Sequence, residues 1–599
     1  MHKLDSLLFS NSVKTTDFDT DRSICIGPQK THTDVAPALV QPLDENPELL
    51  RATALAELLK GRGKIFEPPF ANAESFAMSE TVQLIDAFIS HNWTIPRHAK
   101  YRSLALYDTW PIACMLSSVT CLFFFVVSVG VDLPFTGHVG WQHDDRGNDI
   151  GFKWAPYCLI SSTLVFFLTL MFWQDVVVAV GFPSQQVFLD KTCIDQSDVA
   201  RKKLGIQNMI GVLARSRSMV VVYSDLYLQK LWTVFELTSF LILHKQVRAL
   251  KSRKLVVMPL FLDRLIILCG AVGVASEMYQ TINGWDHDDY MQRYIGDYPL
   301  GRKSVRDFGF PGSIMGYFLL VAAGVPLLIT LNIWTRKLCQ FEMHVETFNA
   351  STALCRDEAD RPLILASIVG LMRNLELIPD GASDRRAIEA FNRCVRLMAP
   401  QCIKGALGRN GIPYRYSVVM MLSLLWSSAD RCAAEMKSGA AYKLGLRIGS
   451  SLLAVFVIWP SAVGLAYQAT ERTMRFGFAA QCVLAVWITA ASCSYLVFIL
   501  RVQAQLEANA VRAMFDKCDC GIKTWDFGVY FAFACVQMGM TYKLYRPRKV
   551  YIPDHNHLAG TLHVGSKADA FMAPSSTGAH CTFPELELHA LPGSSCEAA

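Results

Sequence analysis

Leu84-Ile85-Asp86-Ala87-Phe88-Ile89-Ser90 and Gln186-Val187-Phe188-Leu189-Asp190 decide how this chain folds. Each is a short apolar run that stops at a polar or acidic residue, the pattern of a strand buried on both faces. Ser218-Met219-Val220-Val221-Val222-Tyr223 is a third run, and its β-branched residues suit the middle of a sheet. Lys254–Met258 is a fourth. Between them, Leu204–Arg215 has a helical period that puts Leu204, Met209, Ile210 and Leu213 on one face, and Leu228–His244 reads as a second helix. Strands that alternate with helices predict an α/β fold with a parallel, doubly wound sheet. Sites in such sheets form at the carboxyl ends of the strands. Here those ends are Ser90-His91, Asp190-Lys191 and Tyr223-Ser224.

The composition means either an unusually buried protein or segments solvated by lipid. Apolar residues make up 52% of the 599 residues and charged ones 18%, and the mean hydropathy is +0.26. Ordinary soluble chains carry roughly 25% charged residues. The 57 basic and 52 acidic residues leave a net charge of +5 with no dense basic block, which argues against a nucleic-acid partner. Most of the 18 cysteines sit in apolar runs, where Cys behaves as a small hydrophobe, and no paired CxxC array suggests zinc.

Five apolar runs are long enough to cross a bilayer: Trp110–Leu133, Ala155–Trp173 (with an apolar extension to Val180), Gly312–Trp334, Ile448–Tyr467 and Phe478–Leu500. A sixth, Leu265–Tyr279, is short. Lys and Arg gather in cytoplasmic segments. They are dense in 181–264 and 335–444, sparse in 134–153. Both dense segments then lie inside, which requires Leu265–Tyr279 to cross. The expectation is three membrane hairpins, about six helices, with both termini inside. The chain divides into a largely disordered 1–80 with a short helix near Asn46–Lys60, sheet pieces at 81–109 and 181–262, hairpins at 110–180, 263–334 and 445–501, a cytoplasmic helical region at 335–444, and a C-terminal region at 502–599 that ends in a disordered tail. Tyr416–Trp426 is too short to span and reads as an interfacial or packed helix. Thr524–Tyr542 is long enough to span, which would put the C-terminus outside.

The sheet pieces resemble the TIR (Toll/interleukin-1 receptor type) domain, a flavodoxin-like parallel sheet. Asp86-Ala87-Phe88-Ile89-Ser90 matches the family's D-x-F-[IL]-S strand, and Val187-Phe188-Leu189-Asp190 its V-F-x-D strand. Val221-Val222-Tyr223-Ser224 followed by Tyr227, Trp232, Glu236 and Leu237 matches V-V-x-S and its Y-x-x-S-x-W-C-x-x-E-L helix, with Lys230 and Thr233 in place of the family's Ser and Cys. Cys193-Ile194-Asp195-Gln196-Ser197-Asp198 is similar to the CINQxD signature of the related fungal heterokaryon-incompatibility (HET) domain. The resemblance covers under a fifth of the chain, and a membrane hairpin interrupts it. A sheet split this way closes only if the hairpin returns the chain to the side it left.

The resemblance implies an activity. In enzymatic TIR domains the carboxylate at the Glu236 position cleaves the nicotinamide–ribose bond of NAD, which is then a substrate and not a cofactor. Nicotinamide leaves as a neutral molecule from a cationic state, so one carboxylate suffices where glycosidases use two. Trp232 lies one turn before Glu236 and would pack on an aromatic ring, while Ser90, His91 and Asp190 at the strand ends would contact ribose or phosphate. Glu236 also reads as a solvated helix residue and Trp232 as core. Three functions follow: a membrane-anchored NAD hydrolase activated by clustering, a non-enzymatic signalling or scaffold protein using TIR–TIR self-association, and a channel or transporter. The repeat GWxHDD, at 140–145 and 284–289, supplies an imidazole and two carboxylates each time; it reads either as a divalent-ion site or as interface anchoring by Trp.

Overall fold

The computed structural model describes residues 46–67, 73–134, 137–143, 149–246, 254–275, 344–408, 410–437, 444–473 and 523–546, with scattered residues at 278, between 329 and 341, and at 483. The strands in chain order are β1 (Arg51–Ala54), β2 (Glu80–Thr81), β3 (Ala87–His91), β4 (Gly137–His143), β5 (Asp149–Trp154), β6 (Gln186–Phe188), β7 (Ser218–Tyr223) and β8 (Lys254–Pro259). Six of them form one sheet in the order β2-β1-β6-β3-β7-β8. The last four in that order are parallel to one another, and β1 is antiparallel to both its neighbours. Counted from β3, the parallel strands run second, first, third, fourth.

The helices are α1 (Leu55–Gly63), α2 (Arg97–Gly130), α3 (Tyr157–Val180), α4 (Asp190–Cys193), α5 (Val199–Gln207), α6 (Met209–Ala214) and α7 (Leu231–Gln246). A helix over 262–275 is α8. Then come α9 (Arg361–Asn374), α10 (Asp384–Leu407), α11 (Tyr414–Val419) and α12 (Leu422–Lys437). Residues 444–473 form α13, with a π turn at Ala454–Ile458, and Lys523–Tyr545 is α14.

β3 is the hinge of the sheet. It pairs on one side through Ala87↔Val187 and Phe88↔Phe188, and on the other through Phe88↔Met219 to His91↔Val222. All five of its residues are buried. Side chains alternate across it. Phe88, Phe188, Met219 and Val221 point into a core shared with α7, α9 and α10. Ala87, Ile89, Val187, Val220 and Val222 point into the opposite core, with α1, the start of α2 and the apolar helices. The sheet thus separates a helical layer from the bundle that carries the apolar spans.

Among the described residues, three helices are long and apolar enough to cross a membrane: Arg97–Gly130, Tyr157–Val180 and Arg447–Arg472. α2 begins beside the sheet, where Ala99, Leu104, Ala105 and Leu106 are buried, and continues into an apolar half whose Phe123 is 60% exposed. Exposed apolar surface of that extent needs a cover. α3 returns antiparallel to it, so the chain re-enters the sheet at β6. α8 packs closely on its neighbours through glycines; a Cβ at Gly270 would lie 3.0 Å from the Phe167 ring. Gly312–Trp334 and Phe478–Leu500 fall on residues almost all outside those described.

Several elements differ from the sequence reading. Residues 51–54 of the stretch read as disorder and helix are a strand, because β6 offers them an open edge. The 204–215 helix breaks at Asn208, so its phase shifts: Met209, Ile210 and Leu213 are buried but Leu204 is 40% exposed. The first and second strands are shorter than 84–90 and 186–190, and Asp190 starts a helix.

The 335–444 region also divides. α9 and α10 pack with the sheet, whereas α12 lies along α2 and α3. Trp426 meets Phe166 at 6.0 Å, the Asp430 carboxylate accepts the Cys158 and Leu159 amides at 2.7 and 2.9 Å, and Lys437 reaches the Val131 carbonyl at 2.8 Å. Its polar residues lower its hydropathy in the sequence, yet Asp430 and Glu435 find partners along the bundle. Asp430 supplies the amide acceptors that the first turn of α3 lacks, and Glu435 pairs with Arg447 at 2.7 Å.

Phe88 and Phe188 stack at 4.9 Å with both rings 1% exposed. Phe88→Ala should cost about 3–5 kcal/mol, measured as a lower unfolding midpoint of the full chain in detergent. The same substitution at exposed Phe123 should leave that midpoint within about 0.5 kcal/mol.

Candidate functional site

The alternation that places Phe88 toward α7 places Ser90 there too, and Ile89 and His91 on the opposite face. Ser90 is fully buried. Its hydroxyl donates to Glu236 Oε2 at 2.5 Å and lies 2.6 Å from the Tyr227 hydroxyl. With its only proton on Glu236, Ser90 accepts from Tyr227. This chain ties β3 to the turn and helix that follow β7. Glu236 is 3% exposed. Burial holds its carboxyl well above the usual range, against the Ser90 hydrogen bond and with the Asp190 charge adding to the rise. Burial therefore favours the neutral acid over the carboxylate.

On the other side of this buried group is a cavity of about 610 Å³. β3 supplies its His91 wall, continued by Asn92 and Trp93. Asp190 enters from the start of α4. Lys230, Trp232 and Thr233 come from the turn into α7, and 354–360 closes the remaining side. The last segment is fastened to the sheet domain. Leu354 forms a bridge with Lys230, with Leu231 N–H donating to Leu354 O and Leu354 N–H to Gln229 O, each at 2.9 Å. Lys202 pairs with Asp357 at 3.0 Å and Asp360 at 2.9 Å.

Trp93 organises the polar wall. Its indole donates to Asp190 Oδ2 at 2.8 Å, and the His91 ring meets it edge-on at 4.7 Å. The Lys100 ammonium stands 4.7 Å from its ring centre and the Arg356 guanidinium 5.6 Å, within cation–π range. Burial raises the Asp190 carboxyl, opposed by the Trp93 hydrogen bond, the Lys191 amide and the Lys100 and Arg356 charges. Burial also pushes the His91 imidazole well below its ordinary value, and the Lys100 and Arg356 charges push the same way. His91 and Asn92 line the cavity, while their Nε2 and Nδ2 atoms are themselves buried and, among the described residues, have no hydrogen-bond partner.

Of the five residues singled out in the sequence, His91, Asp190 and Trp232 line this cavity. Ser90 and Glu236 touch each other behind it and are not part of its wall. Trp93, Lys100, Arg356 and Lys202 were missed. Trp93 sits two residues past His91 and was readable as an extension of that strand end. Arg356 comes from a segment without any motif. Among the described residues no group of three His, Cys, Asp or Glu side chains is placed to hold a metal ion. The first GWxHDD copy runs through β4, whereas its Asp144 and Asp145 and the whole second copy lie outside the described residues. No protein-family model, curated protein or solved structure matches the chain.

The buried pair sets a pH dependence. The Glu236 carboxyl is held well above its ordinary value in the fold but ionises above about pH 4.5 when unfolded. Its contribution to stability is complete below that pH and is lost as pH rises toward the folded value. Glu236→Gln removes this loss, so thermal unfolding should show the variant gaining on the wild type as pH rises above about 4.5. His91 acts oppositely: neutral in the fold and protonated in the unfolded chain below about pH 6.5, it lowers stability as pH falls.

Proposed function

We propose that this chain is a multi-pass membrane protein whose cytoplasmic TIR-like module binds a nucleotide of the NAD class at the carboxyl ends of its parallel strands. The observation that carries this reading is the 610 Å³ cavity at the strand ends, lined by Trp93, Trp232, Asp190, Lys230 and Arg356. Its volume falls in the range of small-ligand sites. The indole faces of Trp93 and Trp232 suit a base or nicotinamide ring, Arg356 and Lys230 suit a pyrophosphate, and Asp190 suits ribose hydroxyls. The strand order, with the second strand beside the first, supports a TIR-like or other flavodoxin-like sheet.

The excess of Lys and Arg in 181–264 supports a cytoplasmic sheet. The contacts of α12 favour one change in the path. α12 runs from the sheet-side end of the bundle toward Val131, and α13 comes back antiparallel to it, with Arg447 beside Glu435 and Phe456 beside Tyr414. These two make one hairpin. α14 ends with its Tyr545 ring 5.2 Å from Tyr414, at the sheet-side end of that hairpin.

A second reading adds catalysis, favoured by the position of Glu236 one turn after Trp232 and in contact with Ser90. In NAD cleavage the C1′–N1 bond breaks, nicotinamide leaves neutral with the bonding electrons, and water adds to C1′ and releases a proton. Glu236 would stabilise the ribosyl cation once ionised. That requires its side chain to leave Ser90 and reach the cavity. The positive nicotinamide ring would favour the ionised form. Clustering of TIR-like modules is one source of the needed rearrangement.

Titration of the purified full chain with NAD tests the first reading. Binding should weaken about tenfold in Trp93→Ala, and absence of binding refutes it. Nicotinamide release tests the second: Glu236→Gln should keep NAD affinity and lose at least about a hundredfold in rate. Binding without any release by the wild type, including under clustering, leaves the non-enzymatic signalling function.

A further inference from the structure

A second cavity, of about 540 Å³, lies on the other face of the sheet domain, where α2 and α3 leave it for their apolar halves. Its two ends differ. Arg62, Arg97, His98 and Arg102 stand at one end, and apolar side chains including Phe167 and Ile267 line the other. Met171 and Ile267, on this lining, are 41% and 45% exposed. Gln174 binds Asp108 and Thr109 across the two helices at 2.7 and 2.8 Å, marking the level where polar stem gives way to apolar span. The cavity straddles that level.

The basic end is built and held. Lys60-Gly61-Arg62-Gly63-Lys64 turns there with three successive left-handed residues, Gly61 (φ 58°), Arg62 (φ 59°) and Gly63 (φ 66°). A side chain at such a φ is disfavoured, so arginine at 62 is a costly choice where glycine would serve. Asp175 fixes the loop by accepting the Gly61 amide at 2.9 Å. Arg97 fixes it by donating to the Arg62 and Gly61 carbonyls at 3.0 and 3.2 Å. Arg97 pairs with Glu67 and Arg102 with Asp263. Arg62 has no carboxylate partner among the described residues; its guanidinium lies 5.5 Å from the centre of the exposed Phe172 ring. Asp175 is a third carboxylate beside the loop, so the charges here are balanced; what distinguishes Arg62 is that, among the described residues, its side chain makes no ion pair and is the one left for a phosphate to engage.

We infer that this cavity binds an anionic phospholipid, its phosphate at Arg62 with Arg97 and Arg102 alongside, and an acyl chain along Phe167 and Ile267. The inference rests on the proposed membrane location and is independent of the nucleotide cavity. A basic pocket between spanning helices on the cytoplasmic side is the arrangement that recognises acidic headgroups. It also explains the arginine at a glycine-like position: the loop presents a charge to the headgroup layer at a fixed depth. Occupancy would join α1, α2, α3 and α8 across one lipid and so brace the sheet against the bilayer.

The test is reconstitution of the full chain in nanodiscs of equal parts phosphatidylcholine and phosphatidylserine, followed by native mass spectrometry of the lipid retained. The wild type should retain phosphatidylserine preferentially. Arg62→Gly should lower that preference about fivefold, the factor one basic residue contributes at an acidic surface. This variant relieves the backbone at φ 59°, so its fold should be unharmed, checked by an unchanged or higher unfolding midpoint. Leu170→Trp, which fills the apolar end without changing charge, should also lose the lipid. Equal retention of both lipids by the wild type, or undiminished preference in Arg62→Gly, overturns the proposal. So does displacement of the lipid by inorganic phosphate, which would make this a soluble-anion site. A chain that remains soluble without detergent overturns the membrane reading and this site together.

Discussion

The pairing of Ala87–His91 with Gln186–Phe188 on one side and Ser218–Tyr223 on the other is the constraint on which the rest depends. Between the first two strands the chain runs out along a 34-residue helix and back along a 24-residue one. A parallel sheet normally takes a short helical crossover between neighbours. Here the crossover is replaced by an excursion long enough to traverse a bilayer, and the register survives only because the excursion is even. Sheet closure thus requires an out-and-back path, and the antiparallel packing of α2 on α3 supplies it.

That arrangement gives the two faces of the sheet different neighbours. One face carries α7, α9 and α10 and the buried Tyr227–Ser90–Glu236 chain; the other meets the stem of α2 and the helices that continue into the apolar layer. The nucleotide-sized cavity opens at the strand ends, where His91 and Asn92 leave the last paired residues of β3. The basic cavity opens toward the helices. A ligand at either one contacts elements anchored to the same strands. Ser90 and His91, adjacent in sequence, belong to the two faces and carry opposite perturbations, a raised acid at Glu236 beside the first and a depressed imidazole at the second.

Much of the sheet was legible because its signal is local. The Val220–Val222 run and the apolar runs around Phe88 and Phe188 announce buried strands, and Ser218–Tyr223 has the observed bounds. β1 was not legible: Arg51–Ala54 has no strand pattern, and it pairs only because β6 leaves an edge. Tyr416–Trp426 was legible as a packed helix, though it divides into α11 and the start of α12; the extension to Lys437 was not, because Asp430, Arg431 and Glu435 lower its hydropathy and the partners of Asp430 and Glu435 on α3 and α13 are distant in sequence. At the candidate site, residues at strand ends were found by topology, while Arg356 and Lys202 depend on a docking of 354–360 that no local pattern encodes. Glu236 lies beside Ser90, and burial, which the sequence does not reveal, withdraws it from the cavity wall.

The central claim is that both pieces of the sheet lie on one side of a membrane and pair there. Asp86 and Arg217, one from each piece, form an exposed ion pair at 3.1 Å. A cysteine at each position, in a chain otherwise cleared of reactive thiols, allows the most direct measurement: labelling in sealed vesicles with a membrane-impermeant maleimide, followed by a short bismaleimide. The account predicts that both cysteines are labelled from the same side and that the bismaleimide joins them within one chain. Labelling from opposite sides, or same-side labelling with no intramolecular link, would contradict it.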